Sequence, residues 1–333
     1  MLRLPALFSV PGDALAGAAA AGGTPGSRTL LAIGSSLCLY EAGMALNDWA
    51  DREVDAVERP HRPLPSGRIR PAAALTAACA LTGAGLALAA GAGRPALAVA
   101  APLAATVWAY DLGLKHTPAG PVAMGAARGL DLLLGAAATT GRTRPALRSA
   151  VLLGTHTAAV TTVSRQEARG GSPLAPLAAL ATTALLTRLV TRRPTTTSLT
   201  GPVARRLTVA LLTRPVAHRS VGAGTGRGRP QATDGRLRLT GTRPAREHPG
   251  PRAADLLAGA CAAAYAATTA RPYLHATLNP SPPLTQRAVG AGIRATIPLQ
   301  AALTARSRGT ATALLIAALA PLGAKFAKKV SVT

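Results

Sequence analysis

Apolar segments separated by short polar stretches set the pattern of this chain. They cover residues 4–23, 28–47, 72–92, 95–114, 119–140, 145–164, 173–191, 253–270, 286–305 and 309–326. Most approach the roughly 20 apolar residues that carry a helix across a bilayer. The period-two alternation of strands is nearly absent. The pattern predicts an all-α, polytopic membrane helical bundle of about nine transmembrane helices, or ten if every segment spans. The first segment has some look of a signal peptide, with Arg3, an apolar stretch and small residues. Pro11, Gly12 and Asp13 interrupt it, which favours a first membrane helix.

Composition agrees with a lipid-embedded chain. Of the 333 residues, 48% are hydrophobic and 15% charged, against about 25% charged in ordinary soluble domains. A formal net charge of +24 is the kind of excess seen in nucleic-acid binders. Here the basic residues lie mostly between apolar runs and aromatic residues are 2% of the chain, so no nucleic-acid partner is expected and membrane lipid is. Cys38, Cys79 and Cys261 stand singly in apolar runs, without metal-binding spacing, and read as buried thiols.

One stretch breaks the rhythm. Residues 193–252 carry twelve arginines against Asp234 and Glu247, a net of 12 − 2 = +10. Rich also in Gly, Pro and Thr, this segment buries too little apolar surface to offset the entropy of ordering, and disorder is expected. It divides the chain into helices 1–7 over 1–192, a basic low-complexity insertion over 193–252, and the last membrane helices over 253–333. With Arg3 inside, the loops at 48–71, 115–118, 165–172 and 271–285 are also cytoplasmic by the positive-inside rule.

Candidate chemistry concentrates in "NDWADREVDAVERPHRPLPSG", Asn47 to Gly67. Asp48, Asp51, Glu53, Asp55 and Glu58 are five of the chain's thirteen acids. If the second helix continues past Asn47, then Asn47, Asp48, Asp51 and Asp55 fall at roughly 0°, 100°, 40° and 80° around it. Glu41, seven residues before Asp48, lies on the same side. Carboxylates at this spacing repel one another, and a hard cation such as Mg²⁺, which keeps water and completes its shell with substrate phosphates, reverses that. Arg59, Arg62 and Arg68 then suit phosphate oxygens. The competing reading is a solvated loop whose acids and arginines pair with each other.

The pattern N-D-x-x-D-x-x-x-D followed by R-P-L-x-S-G resembles the first aspartate-rich motif of the UbiA family of intramembrane prenyltransferases. It comprises Asn47, Asp48, Asp51, Asp55, Arg62, Pro63, Leu64, Ser66 and Gly67. "YDLGLKHTPAGP", with Tyr110 and Lys115, is similar to the family's tyrosine and lysine stretch. The resemblance is to 4-hydroxybenzoate polyprenyltransferase-like members, and Asn279–Leu303 looks most like an actinobacterial and cyanobacterial subgroup found near ebo-type gene clusters. It implies Mg²⁺-dependent transfer of a prenyl group from a prenyl diphosphate to an acceptor within the membrane, at a site on the cytoplasmic side of the cell membrane. Asn47, Asp48, Asp51 and Asp55 are implied as metal ligands. Asn47, Arg59, Arg62, Lys115, Arg165 and Glu167 are expected at the diphosphate, and Asp51, Tyr110 and Lys115 in catalysis. The family's second aspartate-rich motif is replaced by "SRQEARGG", Ser164–Gly171, where Glu167 is the one acid, between Arg165 and Arg169. The alternative function is a non-catalytic membrane protein that binds or transports an isoprenoid diphosphate.

Other polar residues carry plainer expectations. Asp13 faces the bundle interior, since a carboxyl is costly in lipid. Arg128 and Asp131, at i and i+3, are expected to pair. His156 and His275 lack supporting ligands for catalysis. Gly290 and Gly292 serve close helix packing.

Overall fold

Alanine and leucine dominate the apolar segments and lose little conformational freedom in a helix, where the backbone satisfies its own hydrogen bonds as lipid demands. The computed structural model describes residues 9–167, 171–192, 253–307 and 309–330. Its helices are α1 (Val10–Ala20), α2 (Ser27–Ala50), α3 (Arg52–Glu58), α4 (Pro71–Ala92), α5 (Arg94–Leu112) and α6 (Gly120–Thr140). After these come α7 (Leu147–Ser164), α8 (Leu174–Thr191), α9 (Ala253–Leu278), α10 (Pro282–Arg306) and α11 (Thr310–Val330). Among the described residues there is no strand. Five helices, α2, α4, α5, α6 and α8, are long and apolar enough to cross a membrane. The molecule is an all-α, multi-pass membrane bundle. The basic insertion at 193–252 lies outside the described residues, as does Arg169.

Helix ends depart from the apolar runs where polarity changes before the helix does. α9 continues to Leu278 because Arg271 and His275 end the hydrophobic run without ending the hydrogen-bond ladder. α10 starts at Pro282, four residues before its apolar run, with prolines in a first turn that needs no amide donors.

Small residues let the helices approach closely. A methyl added at Gly17 would lie 1.9 Å from the Leu132 carbonyl oxygen, and one at Gly135 would lie 2.2 Å from that of Ala14, so α1 and α6 touch backbone to backbone. Gly125 and Gly154 do the same for α6 and α7, each 2.6 Å from the other's carbonyl oxygen on that test. Gly292 packs against Val160 and the Tyr273 hydroxyl as expected, whereas a methyl at Gly290 would meet no helix but α10's own Arg294.

In mid-bundle, four helices meet through polar groups. Arg128 of α6 reaches Asp13 of α1, Nε to Oδ2 3.0 Å, rather than Asp131. Asp131 instead accepts from the Ser36 hydroxyl of α2. Gln300 of α10 donates to Asp13 at 2.5 Å and to the Ser9 carbonyl at 2.8 Å. His156 is buried between the Tyr265 hydroxyl and the Gly292 carbonyl, a structural position. Cys261 is buried, Cys38 is partly so, and Cys79 sits exposed on α4, against expectation.

Four connections gather at one end of the bundle. Lys115, between α5 and α6, reaches the end of α2. Arg165, after α7, donates to the Thr117 carbonyl. The Gly171 amide, before α8, donates to the Pro280 carbonyl of the α9–α10 turn at 3.2 Å.

Candidate functional site

The acidic stripe stands at this end. α2 stops at Ala50 and α3 starts at Arg52, with Asp51 as a junction at φ −88° and ψ 4°. The i to i+4 backbone bonds nevertheless run on, Asp51 N to Asn47 O at 2.9 Å, Asp55 N to Asp51 O at 2.8 Å and Arg59 N to Asp55 O at 2.8 Å. This continuity keeps Asn47, Asp51 and Asp55 stacked on one side, as the helical spacing predicts.

Two cations divide the stripe between them. Lys115 Nζ lies 2.6 Å from Asp51 Oδ1 and 3.2 Å from Asn47 Oδ1. Arg62 lies 2.5 Å from Asp55 Oδ2 and 3.8 Å from Asp48 Oδ1. Arg59 is a looser second partner of Asp55 at 3.5 Å, its side chain half exposed. Asp55 itself is buried, 3% exposed. Pairing of acids with basic side chains therefore describes this structure, and it places Asn47, Arg59, Arg62 and Lys115, four of the residues expected at the diphosphate, along one stripe.

The loop after α3 holds Arg62 in place. Gly67 takes φ +74°, a left-handed conformation suited to glycine. The Ser66 amide donates to the Arg62 carbonyl at 2.9 Å. Arg68 braces the loop itself, donating to the His61 carbonyl at 2.6 Å and to Ser66 Oγ at 3.0 Å, which leaves fewer donors for the phosphate expected from sequence.

Tyr110, at the end of α5, lies within electrostatic reach of Asp51 and Arg165. Arg165 is exposed and is tied to the Lys115 loop through Thr117. Glu167 is half-buried in the turn after α7, its amide on the Ser164 carbonyl at 3.1 Å. Glu41 belongs to the same side of α2, and its Oε1 is buried without a hydrogen bond.

Asp111 was not singled out by sequence. It is 5% exposed, near Lys115 in charge, and its Oδ2 would lie 3.5 Å from a methyl added at Gly43 of α2. Its signal was an acid four residues before Lys115 at the end of an apolar helix, hidden beside the richer motif.

Asn47, Asp48, Asp51 and Asp55 offer the oxygen donors that a hard divalent cation takes, so they fit Mg²⁺ in kind. Their arrangement is another matter. No group of three or more Asp, Glu, His or Cys side chains able to hold a metal occurs among the described residues. Convergence on an ion requires Lys115 and Arg62 to give way.

The family model for UbiA prenyltransferases matches residues 10–213. Digeranylgeranylglyceryl phosphate synthase from Methanothrix thermoacetophila is 39% identical over 112 residues, 33% of this chain and 42% of that protein. The enzyme of the same name from Methanopyrus kandleri is 37% identical over 113 residues, 34% and 40% of the two chains. A chloroplastic chlorophyll synthase from Oryza sativa is 45% identical over 56 residues, 17% and 15% of the two chains. The chain thus spans about two fifths of the length of the synthases it matches. These relatives are not 4-hydroxybenzoate polyprenyltransferases or ebo-cluster proteins, and the subgroup expected from Asn279–Leu303 is set aside. A UbiA homolog from Aeropyrum pernix shares the fold with a TM-score of 0.57 at 19% identity, over 91% of this chain and 98% of that one. With its fold shared along most of its length and its family model covering well over half, the chain belongs to the UbiA prenyltransferase family.

Proposed function

We propose that this protein transfers a prenyl group from a prenyl diphosphate to an acceptor within the membrane. The observation that carries the reading is the seating of Lys115 and Arg62 on Asn47, Asp48, Asp51 and Asp55 at one end of an apolar bundle. Cations and hard oxygen donors share one cluster there, as a diphosphate with a counter-ion requires. Asn47, Asp48, Asp51 and Asp55 would hold Mg²⁺ once Lys115 and Arg62 give way, and the ion would supply positive charge to the diphosphate oxygens.

The chain's own residues do the rest. Lys115, Arg59, Arg62 and Arg165 take diphosphate oxygens as the C1–O bond breaks and the leaving group departs with the electron pair. Tyr110 acts at the diphosphate, a role supported by its proximity to Arg165 and Asp51. The acceptor's nucleophile bonds to C1 and loses a proton, for which Asp111 is the buried carboxylate at hand. The names of the relatives support an acceptor that attacks through a glyceryl phosphate hydroxyl, since their product carries two geranylgeranyl groups on one glyceryl phosphate. Arg52, Arg59, Arg62, Arg68 and Arg70 in one connection support a cytoplasmic site in the cell membrane.

A binding-only protein is the second reading. It is favoured by the replacement of the second aspartate-rich motif with a segment whose one acid is Glu167. Purified protein in detergent, given labelled geranylgeranyl diphosphate and geranylgeranylglyceryl phosphate, separates the two. A product heavier than the acceptor by one prenyl unit supports transfer, and retained donor without product supports binding alone.

A further inference from the structure

A second basic cluster lies at the same end of the bundle as the acidic stripe, on the α9–α10 hairpin. Near the turn of the α9–α10 hairpin, a cavity of about 220 Å³ is lined by Arg271, Pro272, His275, Leu284 and Arg287. The space equals roughly seven water volumes, enough for a phosphate group and too small for most drug-sized ligands.

The lining is fixed by packing on its other side. Tyr273 and Ala276 are buried at 1% and 0% exposure, which turns Arg271 and His275, one helical turn apart, outward together. Two guanidinium groups and an imidazole therefore share one cavity. Among the described residues their side chains have no hydrogen bond or ion pair. Asp255 is the sole acid between residues 253 and 333, and it stands in the first turn of α9, roughly 24 Å along the helix from Arg271. With no carboxylate among the lining residues, these cations repel one another, and an anion reverses the sign of that interaction.

The surrounding surface narrows the class of anion. Leu274 and Leu278, three and seven residues after Arg271, lie 45% and 76% exposed on α9. Cations and exposed leucines thus alternate along one helical face, complementary to a ligand with a phosphate head and an apolar tail. Arginine remains charged beside lipid and meets phosphate oxygens with a planar fork.

We infer that the Arg271–His275–Arg287 cavity binds the phosphate of an anionic membrane lipid. The cavity is lined by none of the residues assigned to the prenyl donor.

The test is native mass spectrometry of the full-length protein released from phosphatidylcholine nanodiscs with and without phosphatidylglycerol. Arg271→Gln/Arg287→Gln is compared with Arg142→Gln/Arg144→Gln, whose exposed arginines lie in the α6–α7 connection at the other end. The expected result is retained phosphatidylglycerol on the wild type, reduced on the order of tenfold in the first variant and unchanged in the second. Equal losses in both variants overturn the site in favour of general surface attraction. Competition by millimolar inorganic phosphate as effective as that by phosphatidylglycerol overturns the lipid assignment. Both variants must elute as the wild type does, and His275→Ala, expected to lower retention by a smaller factor, carries the test if the double variant does not fold.

Discussion

Arg62 and Arg59 both face Asp55 but hold it unequally. Asp55 is buried and sits 2.5 Å from Arg62, whose side chain is 23% exposed, and 3.5 Å from Arg59, whose side chain is 51% exposed. Removing one partner from a buried pair costs about 3–5 kcal/mol, whereas exposed pairs contribute about 0–1 kcal/mol. Arg62 falls between these limits, and Arg59 remains to take up part of the charge. Arg62→Gln should therefore destabilise the ligand-free protein by about 2 kcal/mol, a lowering of the unfolding midpoint by about 3 °C. Arg59→Gln should cost less than about 0.5 kcal/mol. Thermal unfolding in detergent, followed by a thiol-reactive dye, measures both. Asp55→Asn combined with Arg62→Gln should cost clearly less than the sum of the two single changes, because the pair is then removed as a unit. Equal shifts for the two arginines, or strict additivity in the double variant, would mean that Asp55 is not held chiefly by Arg62.

Further outcomes follow from the same geometry. Lys115→Met loses the contacts to Asp51 and Asn47 and should weaken inorganic diphosphate binding by about tenfold to a hundredfold in a titration. Asp111→Asn should leave donor binding nearly unchanged while lowering turnover by about 10²–10⁴, the usual range for a lost proton acceptor; equal loss of donor binding would place Asp111 at the diphosphate instead. Gly125→Leu must displace the Gly154 carbonyl and should destabilise the bundle by about 1–3 kcal/mol in the same thermal assay, with Gly22→Ala in the open α1–α2 connection as a local-strain control.

Much of this arrangement could be read from residue spacing. Apolar runs mark where lipid must be met, and the i+4 intervals of Asn47, Asp51 and Asp55 predict a stripe that survives the break at Asp51. What could not be read depends on partners distant in sequence. Arg128 has Asp131 one turn away, yet it pairs with Asp13 because α1 is drawn against α6 by Gly17 and Gly135. Asp111 gains its place from Gly43 of a different helix. Arg68 looks like its neighbours Arg59 and Arg62, but the loop it belongs to claims its donors first.

Diphosphate release reports on the acid stripe at the end of α2. Wild-type protein in detergent, supplied with labelled geranylgeranyl diphosphate and the glyceryl phosphate acceptor, should release diphosphate when Mg²⁺ is present and stop when it is chelated. Asp51→Asn should abolish that release while the protein still elutes as the wild type does. Release that continues without Mg²⁺, or undiminished in Asp51→Asn, would contradict the account.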